Sequence, residues 1–80
     1  MSHRILRLPE VKALSGLSRS SIYLHVSAGL FPRPLLLGRR MVGWPEAEIT
    51  AINAARIRGV SDEAIRALVS KLEAERANAA

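Results

Sequence analysis

Apolar side chains recur at helical spacing in four stretches of this chain, and between the second and third the pattern changes to a proline-bounded extended run. Leu8-Pro9-Glu10 opens the first helix: proline fits the first turn, where its missing N–H has no intrahelical acceptor, and Val11 and Leu14 share an apolar face. Ser15-Gly16 ends it. Ser18 is the N-cap of a second helix running through Arg19-Ser20-Ser21-Ile22-Tyr23-Leu24-His25-Val26, and Gly29 takes its left-handed cap, giving a helix over residues 18–28. Phe31-Pro32-Arg33-Pro34 excludes helix, because each proline removes a donor and holds the residue before it extended. The chain then runs through Leu35-Leu36-Leu37, turns at Gly38-Arg39 with glycine in the first central position of a two-residue turn, and returns through Arg40-Met41-Val42-Gly43-Trp44. The result is a short hairpin over residues 35–44 with arginines at its tip. Pro45-Glu46 starts a third helix with Ile49 and Ile52 on one face, Arg56 and Arg58 near the negative end of its dipole, and Gly59 as its stop. Ser61 caps a fourth helix over residues 61–77, acidic in its first turn at Asp62 and Glu63, with Ile65, Leu68, Val69 and Leu72 in one stripe.

Two short helices joined by a tight turn at Gly16 make a helix-turn-helix layout, in which the second helix is the one offered to a DNA major groove. A step of about 100° per residue puts Ile22 and Val26 together as its packing side, with Ser20, Tyr23, Leu24 and Ser27 opposite. Small and hydrogen-bonding side chains there let a helix approach base edges, whereas a helix serving only solubility carries Glu and Lys. Arg19, in the first turn, is placed for a phosphate or base contact. Ser18 and Ser21 are capping residues, and Tyr23 divides between core and surface. At the hairpin tip, Arg39 and Arg40 follow a glycine that allows close backbone approach, and guanidinium groups suit the negative potential of a minor groove. Trp44, Phe31 and Leu30 are assigned to the core, since three aromatic residues are all the chain has.

Charge placement sharpens this. Twelve Lys and Arg against seven Asp and Glu give a net +5. From Met1 to Trp44 there are seven basic residues (Arg4, Arg7, Lys12, Arg19, Arg33, Arg39, Arg40) against Glu10 alone, a net +6, and from Pro45 onward five stand against six, or −1. Ten of the twelve cations are arginine, whose planar fork suits phosphates and guanine edges. A polyanionic partner engaging the first half is the implication.

Other classes recede. Cysteine is absent, which removes disulfides, thiolate nucleophiles and cysteine-based zinc sites. His3 and His25 stand alone, and Glu46, Glu48, Asp62, Glu63, Glu73 and Glu75 read as solvated helix faces in i, i+3 or i, i+4 relation to basic residues, such as Asp62 with Arg66 and Lys71 with Glu75. No paired acid and base and no repeated-glycine phosphate loop emerges, so the expectation is a protein that is not an enzyme, with no catalytic, metal or cofactor residues. No apolar run has the length of a membrane span, and a soluble, unprocessed, cytoplasmic protein of one domain over residues 1–80 is expected.

The ordered series Leu8-Pro9-Glu10-Val11, Gly16-Leu17-Ser18-Arg19-Ser20-Ser21-Ile22-Tyr23, Gly29-x-Phe31-Pro32-x-Pro34, Leu37-Gly38-x-Arg40-x-Val42-Gly43-Trp44 and Glu48-Ile49 closely resembles the AlpA family of short phage and prophage regulators, related to the MerR-like, excisionase-type DNA-binding domains. Resemblance covers residues 4–58. It implies a mainly α fold with a small β-hairpin, a winged helix-turn-helix with an added C-terminal helix, that binds double-stranded DNA as a transcriptional regulator of a prophage or mobile-element gene in the bacterial nucleoid. It implies Ser18, Arg19, Ser20 and Tyr23 at the major groove or its phosphates and Arg40 on the wing. Leu24 departs from the pattern, standing where relatives often carry arginine, and His25 stands where they are often apolar or aromatic. The stretch Gly59-Val60-Ser61-Asp62-Glu63-Ala64-Ile65-Arg66-Ala67-Leu68 resembles a passage of MerR-type proteins, which implies a fourth helix packed on the third.

The combined expectation is a major groove read by helix 18–28 and a flanking groove or backbone held by wing 35–44, with Ser18, Arg19, Ser20, Tyr23, Leu24, Ser27, Arg39 and Arg40 as the contacting residues. Rival readings are an excisionase-like architectural factor that bends DNA for an integrase, and a protein-interaction adaptor such as an antirepressor or antitoxin working through the stripe of the fourth helix. Partners expected beside DNA are a second copy on DNA, as a dimer or head-to-tail row, and RNA polymerase or an integrase, with no membrane. The stripe at Ile65, Leu68, Val69 and Leu72 is expected to cover Ile49 and Ile52 within the monomer in preference to holding a dimer.

Overall fold

The computed structural model describes residues 3–79. It is mainly helical with one small antiparallel sheet. In chain order the elements are β1 (Ile5–Leu6), α1 (Leu8–Ser15), α2 (Arg19–Ser27), β2 (Leu35–Leu36), β3 (Val42–Pro45), α3 (Glu46–Arg58) and α4 (Asp62–Glu75), with a final 3₁₀ turn at Arg76–Asn78. Capping sets most of these bounds: Ser18 Oγ accepts the Ser21 N–H and Ser61 Oγ accepts the Ala64 N–H, each satisfying a donor that the first turn leaves free. Between α1 and α2 the chain reverses at Gly16, whose φ of +73° is open to glycine and strained for other residues.

β1 is an addition to the expected hairpin. The sheet has three strands in the order β1-β3-β2, with Leu6 opposite Trp44 and Leu35 opposite Gly43. Two residues of strand carry too short a pattern to read locally, and β1 is fixed from outside: the Arg4 carbonyl accepts the Glu46 N–H at 2.8 Å, and the Arg4 guanidinium reaches Glu10 and Glu46 at 3.0 and 3.2 Å.

The hairpin also turns differently from expectation. Leu36 pairs with Val42 and the Leu37 N–H donates to the Met41 carbonyl at 2.8 Å, so Gly38, Arg39 and Arg40 form a three-residue loop in place of a two-residue Gly38-Arg39 turn. Gly38 has no positive φ, so it does not hold the special turn position assigned to it. The glycine the sheet requires is Gly43, where an added Cβ would lie 2.6 Å from Ile5 Cγ2, 2.9 Å from Leu37 Cδ1 and 3.0 Å from the Leu6 carbonyl oxygen. Two side chains close over β3 there because it has none of its own.

The core is formed by Leu6, Val11, Ile22, Phe31, Trp44, Ile49, Ile52, Ala55, Ile65 and Val69. Trp44 is its hub. The indole is buried, donates Nε1–H to the Pro32 carbonyl at 2.8 Å, and meets the rings of Phe31 and Tyr23 edge to face with centroids 6.2 and 6.3 Å away. Ile65 and Val69 are buried against the same cluster, with Leu68 and Leu72 packed at its margin, so the α4 stripe serves the monomer's interior. Leu14 departs from expectation: it is 52% exposed, and α1 is anchored by Val11. Glu48 departs more strongly. Read as a solvated carboxylate, it is buried and gripped by Arg76, whose Nε and Nη2 donate to its two oxygens at 2.8 and 2.7 Å. The couples Asp62 with Arg66 and Lys71 with Glu75 form no ion pair among the described residues; Arg66 turns instead to the Ala28 carbonyl, 3.0 Å from its Nε. No helix among them is long and apolar enough to cross a membrane.

Candidate functional site

α2 is held by one side and bare on the other. Ile22 is buried and Val26 packs against the core, while Arg19, Ser20, Leu24 and Ser27 are exposed, Leu24 at 68%. Tyr23 lies at the boundary, 36% exposed, its ring edge against Trp44. Not every polar group on this face is free. Ser18 Oγ caps Ser21 N–H and donates to Ser21 Oγ at 3.0 Å, and Ser27 Oγ donates to the Leu24 carbonyl at 2.7 Å. His25 Nδ1 lies 2.7 Å from the Ser21 carbonyl, an acceptor that calls for the proton on that nitrogen. The side chains of Arg19, Ser20 and Tyr23 have no hydrogen-bond partner among the described residues.

Arg39 and Arg40 sit in the hairpin loop, both exposed, with Leu36 83% and Met41 45% exposed at its base. The hairpin and α2 are joined through Trp44: its backbone is in β3, and its ring packs against Tyr23 of α2. Trp44 thus gives the hairpin and the helix a shared packing contact.

The arginines divide into two groups. Arg4 is paired with Glu10 and Glu46, Arg33 with Glu73 at 3.3 Å, and Arg76 with Glu48. Arg66 and Arg56 donate to the carbonyls of Ala28 and Leu30, at 3.0 and 3.3 Å, just beyond the C-terminal end of α2. These five are committed to the fold. Arg19, Arg39 and Arg40 make no ion pair or hydrogen bond through their side chains among the described residues, nor do Arg7, Lys12, Arg58 and Lys71. The hydrogen bonds that Arg76 donates to Glu48 outweigh desolvation, raise Arg76 further above the ordinary arginine pKa and keep it cationic.

Sequence reasoning missed the structural parts of Arg33, Arg56, Arg66 and Arg76 and the burial of Glu48. One signal was present: Glu48 precedes Ile49 and stands one turn before Ile52, at the edge of the apolar face of α3. No group of three metal-ligating side chains occurs among the described residues. A groove of about 600 Å³, bordered by Ile5, Leu35, Pro45, Ala47 and Leu72, includes none of the eight exposed residues expected at the site.

The chain matches the family model of the prophage CP4-57 regulatory protein (AlpA) over residues 4–56. It is 50% identical over 56 residues to the uncharacterized protein ORF88 of Enterobacteria phage P4, an alignment that spans 70% of this chain and 64% of the phage protein. It is 42% identical over 52 residues to the DNA-binding transcriptional activator AlpA of Escherichia coli (strain K12), covering 58% of this chain and 74% of that protein. No solved structure matches it. The family match ends inside α3, so α4 and its contacts lie beyond it.

Proposed function

The chain belongs to the AlpA family of prophage regulatory proteins, and on that premise we propose that it regulates transcription by sequence-specific binding to double-stranded DNA. α1 and α2 act as a helix-turn-helix, with α2 in the major groove, and the β2–β3 hairpin acts as a wing on the flanking groove or backbone. The observation that carries this reading is the division of the arginines: five serve the fold, and of the five left unpaired three, Arg19 on α2 and Arg39 and Arg40 on the hairpin, stand on elements that meet at Trp44. Beside Arg19, the small exposed Ser20 lets the helix come close to base edges. Ser18 is committed as a cap, which still leaves its exposed end of α2 open to a phosphate.

The test is a band-shift titration. Arg19→Ala should weaken specific binding by about 1 to 3 kcal/mol with an unchanged melt. Tyr23→Phe, which keeps the ring on Trp44 and removes the hydroxyl, isolates that group's contact. Unchanged affinity in both variants contradicts the assignment of α2.

One observation favours a second reading, an architectural factor that bends DNA for an integrase. Leu36 and Met41 are exposed beside Arg39 and Arg40, and apolar wedges next to arginines are what unstack a base step in a minor groove. A circular-permutation bending assay decides between a straight and a bent complex. With the α4 stripe used inside the monomer, the free protein should be mainly monomeric at low micromolar concentration and further copies should gather on DNA, which sedimentation with and without a duplex checks.

A further inference from the structure

Leu24 is the anomaly of the α2 surface. At about 100° per residue it points directly away from the midline between Ile22 and Val26, so the outermost position of the helix carries an aliphatic side chain, 68% exposed, beside exposed Ser20 and Ser27. It is not one of the side chains that form the core or pack at its margin. Its polar neighbours are partly spoken for, since Ser27 Oγ binds the Leu24 carbonyl and Ser18 and Ser21 bind each other. The centre of the face therefore offers a methyl-bearing branch with Ser20 beside it, Tyr23 at the edge of the face and Arg19 in the first turn, toward the packing side.

We infer that Leu24 reads the C5 methyl of a thymine in the major groove. The inference rests on the DNA-binding role of α2 proposed above. A leucine has no donor or acceptor, so pressed against guanine, cytosine or adenine it strips water from O6, N7 or an exocyclic amine and returns nothing. Thymine is the one standard base whose major-groove edge presents an apolar group, and contact with that methyl removes apolar surface of both partners from water. Leu24 thus selects by attraction to thymine and by unsatisfied polar groups on the other bases, while Arg19 and Ser20 bond neighbouring edges or phosphates.

The experiment begins with duplexes selected from a random pool by the wild-type protein, in which each thymine is then replaced in turn by 2′-deoxyuridine, deleting only the methyl. At one position the replacement should weaken wild-type binding roughly four-fold, the equivalent of one buried methyl group. Leu24→Ala, which removes an exposed side chain and should melt as the wild type does, should bind the thymine duplex more weakly and bind the thymine and uracil forms of that position equally. Leu24→Met, which keeps the reach and the apolar character, should retain the distinction. A selected duplex whose uracil forms all bind the wild type unchanged, or a uracil penalty that persists in Leu24→Ala, overturns this inference alone. A pool that yields no preferred duplex overturns the sequence-specific role and this inference with it.

Discussion

Removing the Arg76 side chain should destabilise the protein more than any other single arginine deletion, and the structure sets the scale. The Glu48 side chain is 7% exposed, and both of its oxygens are held by one guanidinium whose own side chain is 21% exposed. Truncating one partner of a buried pair leaves the other charge unpaired, at about 3 to 5 kcal/mol. Here the Arg76 end is open enough for water to follow it in, which places the loss near about 2 to 3 kcal/mol. Against a total of roughly 4 to 12 kcal/mol for a domain of this size, that is a large fraction. Arg4 is the internal comparison: its pairs with Glu10 and Glu46 are 58%/45% and 58%/36% exposed, so Arg4→Ala should cost under about 1 kcal/mol. Trp44 is the chain's one tryptophan and is buried, so urea unfolding followed by its fluorescence reports both variants. The double variant Glu48→Met with Arg76→Met should recover most of the loss, because an apolar pair of similar volume needs no compensation. Since Arg76 is raised above its ordinary pKa in the fold, its contribution is complete below that ordinary value and fades only as pH climbs through the higher folded one. Alkaline buffers in the working range should therefore not reproduce the variant. Arg76→Ala within about 0.5 kcal/mol of Arg4→Ala would refute the account of a buried clamp.

Gly43→Ala forces a Cβ to within 2.6 Å of Ile5 and 3.0 Å of the Leu6 carbonyl, and should cost more than about 1 kcal/mol by urea unfolding, with Ile5→Ala restoring part of it. Truncation after Gly59 strips Ile65 and Val69 from the core cluster and removes Arg76 from Glu48, so dispersed amide resonances should be lost; a well-dispersed spectrum would contradict the structural role of α4. Arg39→Ala with Arg40→Ala should lower affinity for specific and random duplexes alike and flatten the salt dependence by up to about two units, while an unaltered slope would make the hairpin loop a solvated turn.

What could be read from sequence was whatever closes within a few residues. Ser18 and Ser61 cap the amides three positions on, and Gly16 and Gly59 stop helices, so the four helices were legible, while the fourth, expected to reach residue 77, ends at Glu75 in a 3₁₀ turn. The exposed side of α2 followed from the position of Ile22 and Val26 alone. What escaped depends on partners far along the chain. Glu48 is buried because Arg76, 28 positions on, neutralises it; β1 exists because β3 offers it an edge; and Arg56 and Arg66 face carbonyls 26 and 38 positions back. The hairpin register was missed for a different reason, since a glycine beside two arginines suggests a two-residue turn, while the bond from Leu37 to Met41 makes the loop one residue longer.

The central claim is that duplex DNA meets α2 and the hairpin loop together, and an amide chemical-shift titration of the labelled protein with a random duplex at low salt tests it most directly. Non-specific binding uses the same cationic surface, so no target sequence is required. The account predicts shifts at Arg19, Ser20, Tyr23, Leu24, Arg39 and Arg40 that saturate together and reverse on adding salt, with Ile5, Leu35, Ala47 and Leu72 at the groove unmoved. Shifts confined to the groove or to α4, or none at all, would contradict it.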